Sequence, residues 1–231
     1  MTKAIVLLSG GQDSTTSLFW AKQEFGGDLI AVSVYYGQRH EAELPAAQDI
    51  AKLAGVAKHI MLRADVLANI GDSDLVKKGT EIKASGGYTD TAAPGGLPSS
   101  FVPGRNLLLL TLAAAVAVRE GAKDIVTGVC QTDYSGYPDC RREFIDSLEG
   151  TLRLAMPSGS GPFKIHTPLM HLDKRETVKL AGRLPGCWEA LAKSITCYEG
   201  KRPGCGKCPA CTLRAKGFEE AGDVDPAQLP Y

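Results

Sequence analysis

Along much of the chain, short unbroken apolar runs alternate with longer stretches whose apolar residues recur at helical spacing. The runs Ala4-Ile5-Val6-Leu7-Leu8 and Leu29-Ile30-Ala31-Val32-Ser33-Val34-Tyr35 read as strands buried on both faces. Between them the spacing predicts a helix over 14–24, with Leu18, Phe19 and Ala21 on its apolar face and Gly26-Gly27 ending it. The alternation continues with a helix over 41–53 stopped by Gly55, a strand over 58–62, an apolar helix running to Arg119 and a strand over 124–128. A helix over 140–156, a strand over 164–166 and a helix over 173–184 capped by Asp173 complete the pattern. Strand–helix–strand order with short links predicts an α/β fold: a Rossmann-like parallel sheet with right-handed crossovers and helices on both faces. Ligands on such a sheet sit at the carboxyl ends of the strands.

Two stretches break the pattern. Periodicity fades over 63–100, which Gly86-Gly87, Pro94-Gly95-Gly96 and Pro98 punctuate, and a loop of that length reads as a lid, a dimer contact or a disordered segment. The run 157–162 is a Pro/Gly/Ser linker. The organisation expected is an α/β domain over 1–190 followed by a separate C-terminal segment over 191–231.

Composition narrows the function classes. Of 231 residues 44% are hydrophobic and 23% charged, enough for a substantial core. The 26 basic and 26 acidic residues balance, which speaks against a broad grip on nucleic acid and favours a small-molecule substrate. The longest apolar stretch, 107–118, falls short of the roughly twenty residues a membrane span needs. Lys3 precedes only five apolar residues before the glycines, too few for a secretory leader. A soluble, cytoplasmic protein without direct nucleic-acid or membrane contact is expected.

Four of the seven cysteines, Cys197, Cys205, Cys208 and Cys211, crowd into one short stretch. In a reducing compartment such a cluster means metal and not disulfides. Four thiolates suit one tetrahedral, structural zinc ion, with an iron–sulfur cluster as the alternative. Such a knuckle would staple a terminus too short to hold its own core. Thr196 and Tyr198, beside the first cysteine, could face a substrate pocket. Cys140 and Cys187 read as small buried hydrophobes, and Cys130 lies on the functional rim.

The first strand runs into Ser9-Gly10-Gly11-Gln12-Asp13-Ser14-Thr15-Thr16-Ser17. Two glycines and a cluster of hydroxyls before a helix make a phosphate cradle, because backbone N–H groups can approach an anion and the helix N-terminus adds its dipole. No Lys follows the second glycine as in the Walker loop, and the third spaced glycine of the dinucleotide fingerprint is missing. Three polar segments without core logic fall on the same rim: Tyr36 to His40, Phe101 to Asn106 and Gly128 to Arg142. Their Asp, Tyr, Ser and Arg side chains suit a flat polar heterocycle bearing a carboxylate. His40 lies on the rim, whereas His59 and His166 fall inside strands.

The loop Ser9 to Ser17 resembles that of the PP-loop ATP pyrophosphatases. Taken with Tyr36-Gly37-Gln38-Arg39-His40, Phe101-Val102-Pro103-Gly104-Arg105-Asn106, Gly128 to Arg141, Thr167-Pro168-Leu169-Met170 with Asp173-Lys174, and the cysteine knuckle, it resembles one family closely. That family is the 7-cyano-7-deazaguanine synthases of the queuosine pathway. The resemblance implies an adenine nucleotide alpha-hydrolase-like fold with a C-terminal four-cysteine zinc knuckle, and a homodimer. It implies that ATP with Mg²⁺ adenylates 7-carboxy-7-deazaguanine and that ammonia displaces AMP to give an amide. A second ATP would then activate the amide oxygen, leaving the nitrile. ATP would lie on Leu8, Ser9, Gly10, Gly11, Gln12, Asp13, Ser14, Thr15, Thr16, Ser17 and Leu18. The substrate would meet Tyr36, Gln38, Arg39, His40, Arg105, Asn106, Asp133, Ser135, Tyr137, Asp139 and Arg142. Asp13, Ser14, Arg105 and Lys174 are the candidate catalytic residues. A PP-loop tRNA thiolase, using Cys130 as sulfur carrier, and a nucleotide-binding sensor without turnover are the rival readings. The first would want a basic surface, and the second leaves the third rim loop and the knuckle without a role.

Overall fold

The structure, a computed structural model, describes residues 2–38, 41–70, 73, 75–76, 97–132, 136–157 and 163–229. Its five strands are β1 (Ala4–Leu7), β2 (Leu29–Tyr35), β3 (Lys58–Arg63), β4 (Asp124–Val126) and β5 (Lys164–His166). They form one parallel sheet in the order β3-β2-β1-β4-β5. The chain winds outward from β1 to β3, then crosses back to lay β4 against the other side of β1. The switch point where such sheets take ligands therefore lies between β1 and β4.

The unbroken apolar runs are explained by burial on both sides. Ala4, Val6 and Leu8 face one core with Leu29 and Ala31, whereas Ile5 faces a second core with Ile30, Val32 and Val34. The first core is closed by α1 (Gln12–Phe25) and α2 (Glu43–Ala54), through Leu18, Phe19 and Ile50. After the short α3 (Val66–Ile70), α4 (Arg105–Glu120) and α5 (Arg142–Ala155) close the second, through Leu110, Ala114, Ile145 and Leu152. The helix α6 (Lys174–Arg183) returns to the first core, and its start is the sequence-expected one. The Asp173 carboxylate accepts from the Glu176 N–H at 2.7 Å, and the Glu176 carboxylate accepts from the Asp173 N–H at 2.9 Å.

Besides the five-residue α3, two helices go beyond the sequence expectation. The seven-residue α7 (Cys187–Lys193) is too short for a helical repeat to stand out, and α8 (Pro209–Ala221) begins inside the cysteine cluster. Both matter, because α7 and Phe218 of α8 pack into the same core as Leu18 and Val178. The expected strand over 124–128 ends early, at Val126. Beyond it the chain passes so close to α1 that a Cβ at Gly128 would stand 2.9 Å from the Asp13 carbonyl carbon. The lid or dimer contact expected of 63–100 and the 157–162 linker fall largely outside the described residues. Among the described residues no helix is long and apolar enough to cross a membrane.

The C-terminal segment is tied down by one buried cation. Arg214 of α8 is 5% exposed and pairs with Asp225 through two hydrogen bonds, Nε to Oδ2 at 2.7 Å and Nη2 to Oδ1 at 2.8 Å. Nη1 donates to the hydroxyls of Ser194 (2.8 Å) and Thr196 (2.9 Å), and Nη2 also donates to the Leu191 carbonyl. Arg214→Ala is expected to destabilise the protein by roughly 3–5 kcal/mol, because it leaves Asp225 buried and unpaired. The double variant Arg214→Met/Asp225→Leu should recover most of that loss in urea unfolding.

Candidate active site

At the carboxyl ends of β1, β2 and β4 lies a cavity of about 320 Å³. Ser9, Gly11, Gln12, Asp13 and Ser14 form one wall, so the predicted phosphate loop opens directly into it. The loop is braced by its own hydroxyls: Ser14 Oγ donates to the Gly11 carbonyl (3.1 Å) and accepts from the Ser9 N–H (3.2 Å). Gly11 caps α1 without a side-chain bond, and Gln12, Asp13 and Ser14 of the first turn line the cavity, which puts the positive end of the helix dipole there. Gly10 takes φ +93°, and a side chain there would run into the Glu43 carbonyl at the start of α2.

Of the remaining predicted loop residues Leu8 lines the cavity, whereas Thr15, Thr16, Ser17 and Leu18 do not. Thr15 Oγ1 donates to the Gly11 carbonyl (2.8 Å) and Thr16 Oγ1 to the Gln12 carbonyl (3.0 Å), which lets these hydroxyls be buried within α1. Leu18 belongs to the core, and Ser17 Oγ is buried with no partner among the described residues. The two predicted catalytic residues that lie far apart in sequence meet: Lys174 Nζ donates to Asp13 Oδ2 at 2.7 Å. Asp13 Oδ1 is left buried with no hydrogen-bond partner among the described residues. Lys174 is held there by a close backbone approach, since a Cβ at Gly217 of α8 would lie 2.8 Å from the Lys174 Cβ.

Of the predicted substrate residues, Tyr36, Gln38, Arg105, Asn106 and Tyr137 line the cavity. Gln38 Oε1 accepts from the Tyr36 N–H at 2.8 Å and fixes the turn after β2. The Tyr137 hydroxyl hydrogen-bonds Ser100 Oγ (2.6 Å), and its ring packs at 5.3 Å from Phe101. Asp139 and Arg142 do not line it. Asp139 Oδ2 accepts from the Asn106 N–H (3.0 Å) and so caps α4 from a distant part of the chain. Its Oδ1 is buried without a partner among the described residues. Arg142 donates to Thr167 Oγ1 (2.9 Å) and pairs with Asp146 (2.8 Å). Arg39, His40, Asp133 and Ser135 lie outside the described residues.

Two wall residues gave no motif to find in the sequence. Arg214 looks like one more basic residue after the knuckle. Glu43 looks like an ordinary acid in the first turn of a helix, yet its half-buried side chain opens onto the cavity. Burial pushes the Glu43 carboxyl up from its ordinary 4.5 to about 7, and the nearby Arg105 charge only partly offsets this. Burial also raises the Tyr36 and Tyr137 phenols, again against the pull of Arg105.

The C-terminal segment completes the wall with Thr196, Tyr198 and Arg214. Thr196 Oγ1 accepts from the Gln12 N–H of the phosphate loop (3.3 Å) and from Arg214 Nη1, and the Ile195 N–H donates to the Gly10 carbonyl (2.9 Å). One residue further on stands Cys197. The sulfurs of Cys197, Cys205, Cys208 and Cys211 all lie within 4.8 Å of one another. Backbone N–H groups already point at them, from Glu199 to Cys197 (3.4 Å) and from Lys207 (3.4 Å) and Cys208 (3.2 Å) to Cys205. Cys211, in the first turn of α8, is drawn down to about 5, chiefly by the hydrogen bond from Cys208, whose own thiol is pushed up. Four sulfurs this close cannot all ionise without a cation among them, and the donor set fits a closed tetrahedral ion such as zinc.

A glycine- and hydroxyl-rich loop at the switch point of a parallel sheet, opening on one cavity and backed by a four-thiol knuckle, defines the class: a Rossmann-like α/β enzyme. The family profile described as "Queuosine biosynthesis protein QueC" matches residues 3–222. The chain belongs to the QueC family of queuosine biosynthesis enzymes. A 7-cyano-7-deazaguanine synthase from Chromobacterium violaceum is 54% identical over 225 residues, 97% of this chain and 92% of that one. The synthase of the same name from Bacillus subtilis is 48% identical over 219 residues, 94% of each chain. A solved structure titled as a predicted subunit of tRNA methyltransferase, from Methanocaldococcus jannaschii, is similar at 19% identity and a TM-score of 0.49. That match covers 79% of this chain and 75% of that one, a likeness too loose to argue from.

Two outcomes are expected. The raised Glu43 pKa means the folded state binds a proton the unfolded chain has released between about pH 4.5 and 7. Its contribution to stability is therefore present below pH 4.5 and lost as pH rises through about 7. Glu43→Gln should flatten that part of the stability–pH curve in denaturant titrations and leave the variant more stable than the parent at pH 8. Second, elemental analysis should find about one zinc per chain, lost on Cys208→Ser. Chelation should speed hydrogen exchange of the Gln12 amide, because Thr196 is anchored beside Cys197.

Proposed function

We propose that the protein converts 7-carboxy-7-deazaguanine and ammonia to 7-cyano-7-deazaguanine at the expense of two ATP, through an acyl-adenylate and an amide. The observation that carries this reading is the shared chamber. The phosphate loop and the Arg105–Tyr36–Tyr137 wall face one cavity, so an ATP α-phosphate and a substrate carboxylate can meet there. The curated relatives named as 7-cyano-7-deazaguanine synthases support it.

A carboxylate is a poor electrophile, and an amide loses its oxygen only when that oxygen carries a good leaving group. Transfer of AMP to oxygen meets both needs, with pyrophosphate departing onto the loop. In this reading the loop from Leu8 to Ser14 holds ATP, with Ser9, Gly11 and Ser14 around the phosphates and the α1 N-terminus drawing off negative charge. Lys174 adds positive charge with little reorganisation, since Asp13 already fixes it. The unpartnered Asp13 Oδ1 fits a role in holding Mg²⁺, which when bound would offset phosphate charge. Arg105 takes the substrate carboxylate, Tyr36 and Tyr137 offer ring faces, and Gln38 and Asn106 stand beside them. Residues 1–190 form the nucleotide-binding unit and 191–231 the zinc-bearing segment that finishes its wall. The homodimer rests on the family resemblance, and the cytoplasmic setting on the apolar pattern of the sequence.

Incubating the purified protein with 7-carboxy-7-deazaguanine, ammonium and Mg-ATP should give the nitrile by mass spectrometry, with about two AMP per nitrile by this two-activation chemistry. Amide with one AMP would limit the protein to the first round. No AMP from zinc-loaded, folded protein would overturn the reading.

A further inference from the structure

The reaction proposed above needs a proton acceptor when ammonia attacks the acyl-adenylate, and the carboxylates of the cavity wall are few. Among the described residues that line it, only Asp13 and Glu43 carry one. Asp13 is engaged by Lys174. Asp139, one of the acids expected at the substrate, is turned to the α4 cap.

We propose that Glu43 is the general base of the ammonia-dependent step. This rests on the proposed function and names a catalytic residue within the same site. The first turn of α2 packs its Glu43 carbonyl against Gly10, so the side chain enters the cavity beside the phosphate loop, where the acyl-adenylate must form. Arg105, the candidate holder of the substrate carboxylate, is the charged group that acts on it, so the base and the reacting carbon share one corner of the chamber. Among the described residues no group donates a hydrogen bond to the Glu43 carboxylate, which leaves its oxygens able to accept a proton. A carboxyl held near neutrality is also matched to that task.

The step balances. The lone pair of NH₃ forms the C–N bond at the acyl carbon, and the carbonyl π electrons move onto oxygen. The nitrogen, now cationic, gives one proton to a Glu43 oxygen. The carbonyl re-forms as the bond to the AMP oxygen breaks, AMP leaves with that electron pair, and the amide remains. Release of the proton to solvent resets Glu43.

The test compares the parent with Glu43→Gln in two half-reactions. Substrate-dependent exchange of labelled pyrophosphate into ATP reads adenylation alone, and amide formation from ammonium reads the step assigned to Glu43. The expected result is exchange within about two-fold of the parent and amide formation down by about 10²-fold or more. Hydroxylamine, which is neutral at pH 7 and a stronger nucleophile, should form the hydroxamate in the variant at close to the parental rate. Amide formation at the parental rate would overturn the proposal, and so would loss of exchange, which would make Glu43 a binding or structural residue. Failure of hydroxylamine to rescue would overturn it too. If the parent itself shows no exchange, the proposed function fails, and not the assignment of the base alone.

Discussion

The site depends on backbones touching where no side chain fits. Gly10 admits the Glu43 carbonyl, Gly128 admits the Asp13 peptide, and Gly217 admits Lys174. Each contact fixes one charged residue of the cavity by way of its main chain, and each joins elements that come from different parts of the sequence. A side chain can rotate away from its partner, whereas a peptide wedged against a peptide cannot do so without moving a whole helix. The precision of the site is therefore stored in packing and not in loop conformation.

Electrostatics then follow from this packing. The cavity brings together the α1 N-terminus, Lys174 and Arg105 as positive features and encloses Asp13 and Glu43 as negative ones. Asp13 is compensated by a 2.7 Å ion pair. Glu43 is compensated only in part, because removal from water disfavours its charged form more than the nearby Arg105 favours it. A half-buried acid held so is a cost that a purely structural design would have avoided with Gln, which is why such groups point to chemistry.

How much of this was legible depends on whether the information is local. The strands β1 and β2 are plain because doubly buried strands need unbroken apolar runs, and the Asp173 cap of α6 is plain because capping boxes are local. The phosphate loop and the four cysteines announce themselves by spacing. By contrast, Asp139 carries the residue type and loop that a ring-binding acid would have, yet its carboxylate is taken by the Asn106 N–H from another part of the chain. Glu43 escaped for the opposite reason, since nothing in a helix's first turn tells which face a carboxylate will meet. The short α7 and the helix hidden within the knuckle, α8, could be seen only once tertiary contacts supported them.

The bond from the Gln12 N–H to Thr196 spans 184 positions, and the Arg214–Asp225 pair that steadies Thr196 closes only near the end of the chain. During synthesis the first strands and helices leave the ribosome and can collapse while this clasp is still unmade. The loop after β1 is thus among the first segments to be translated and among the last to be finished. An incomplete chain carries the motif but not its brace, so the loop of a truncated product lacks the support that Thr196 gives it.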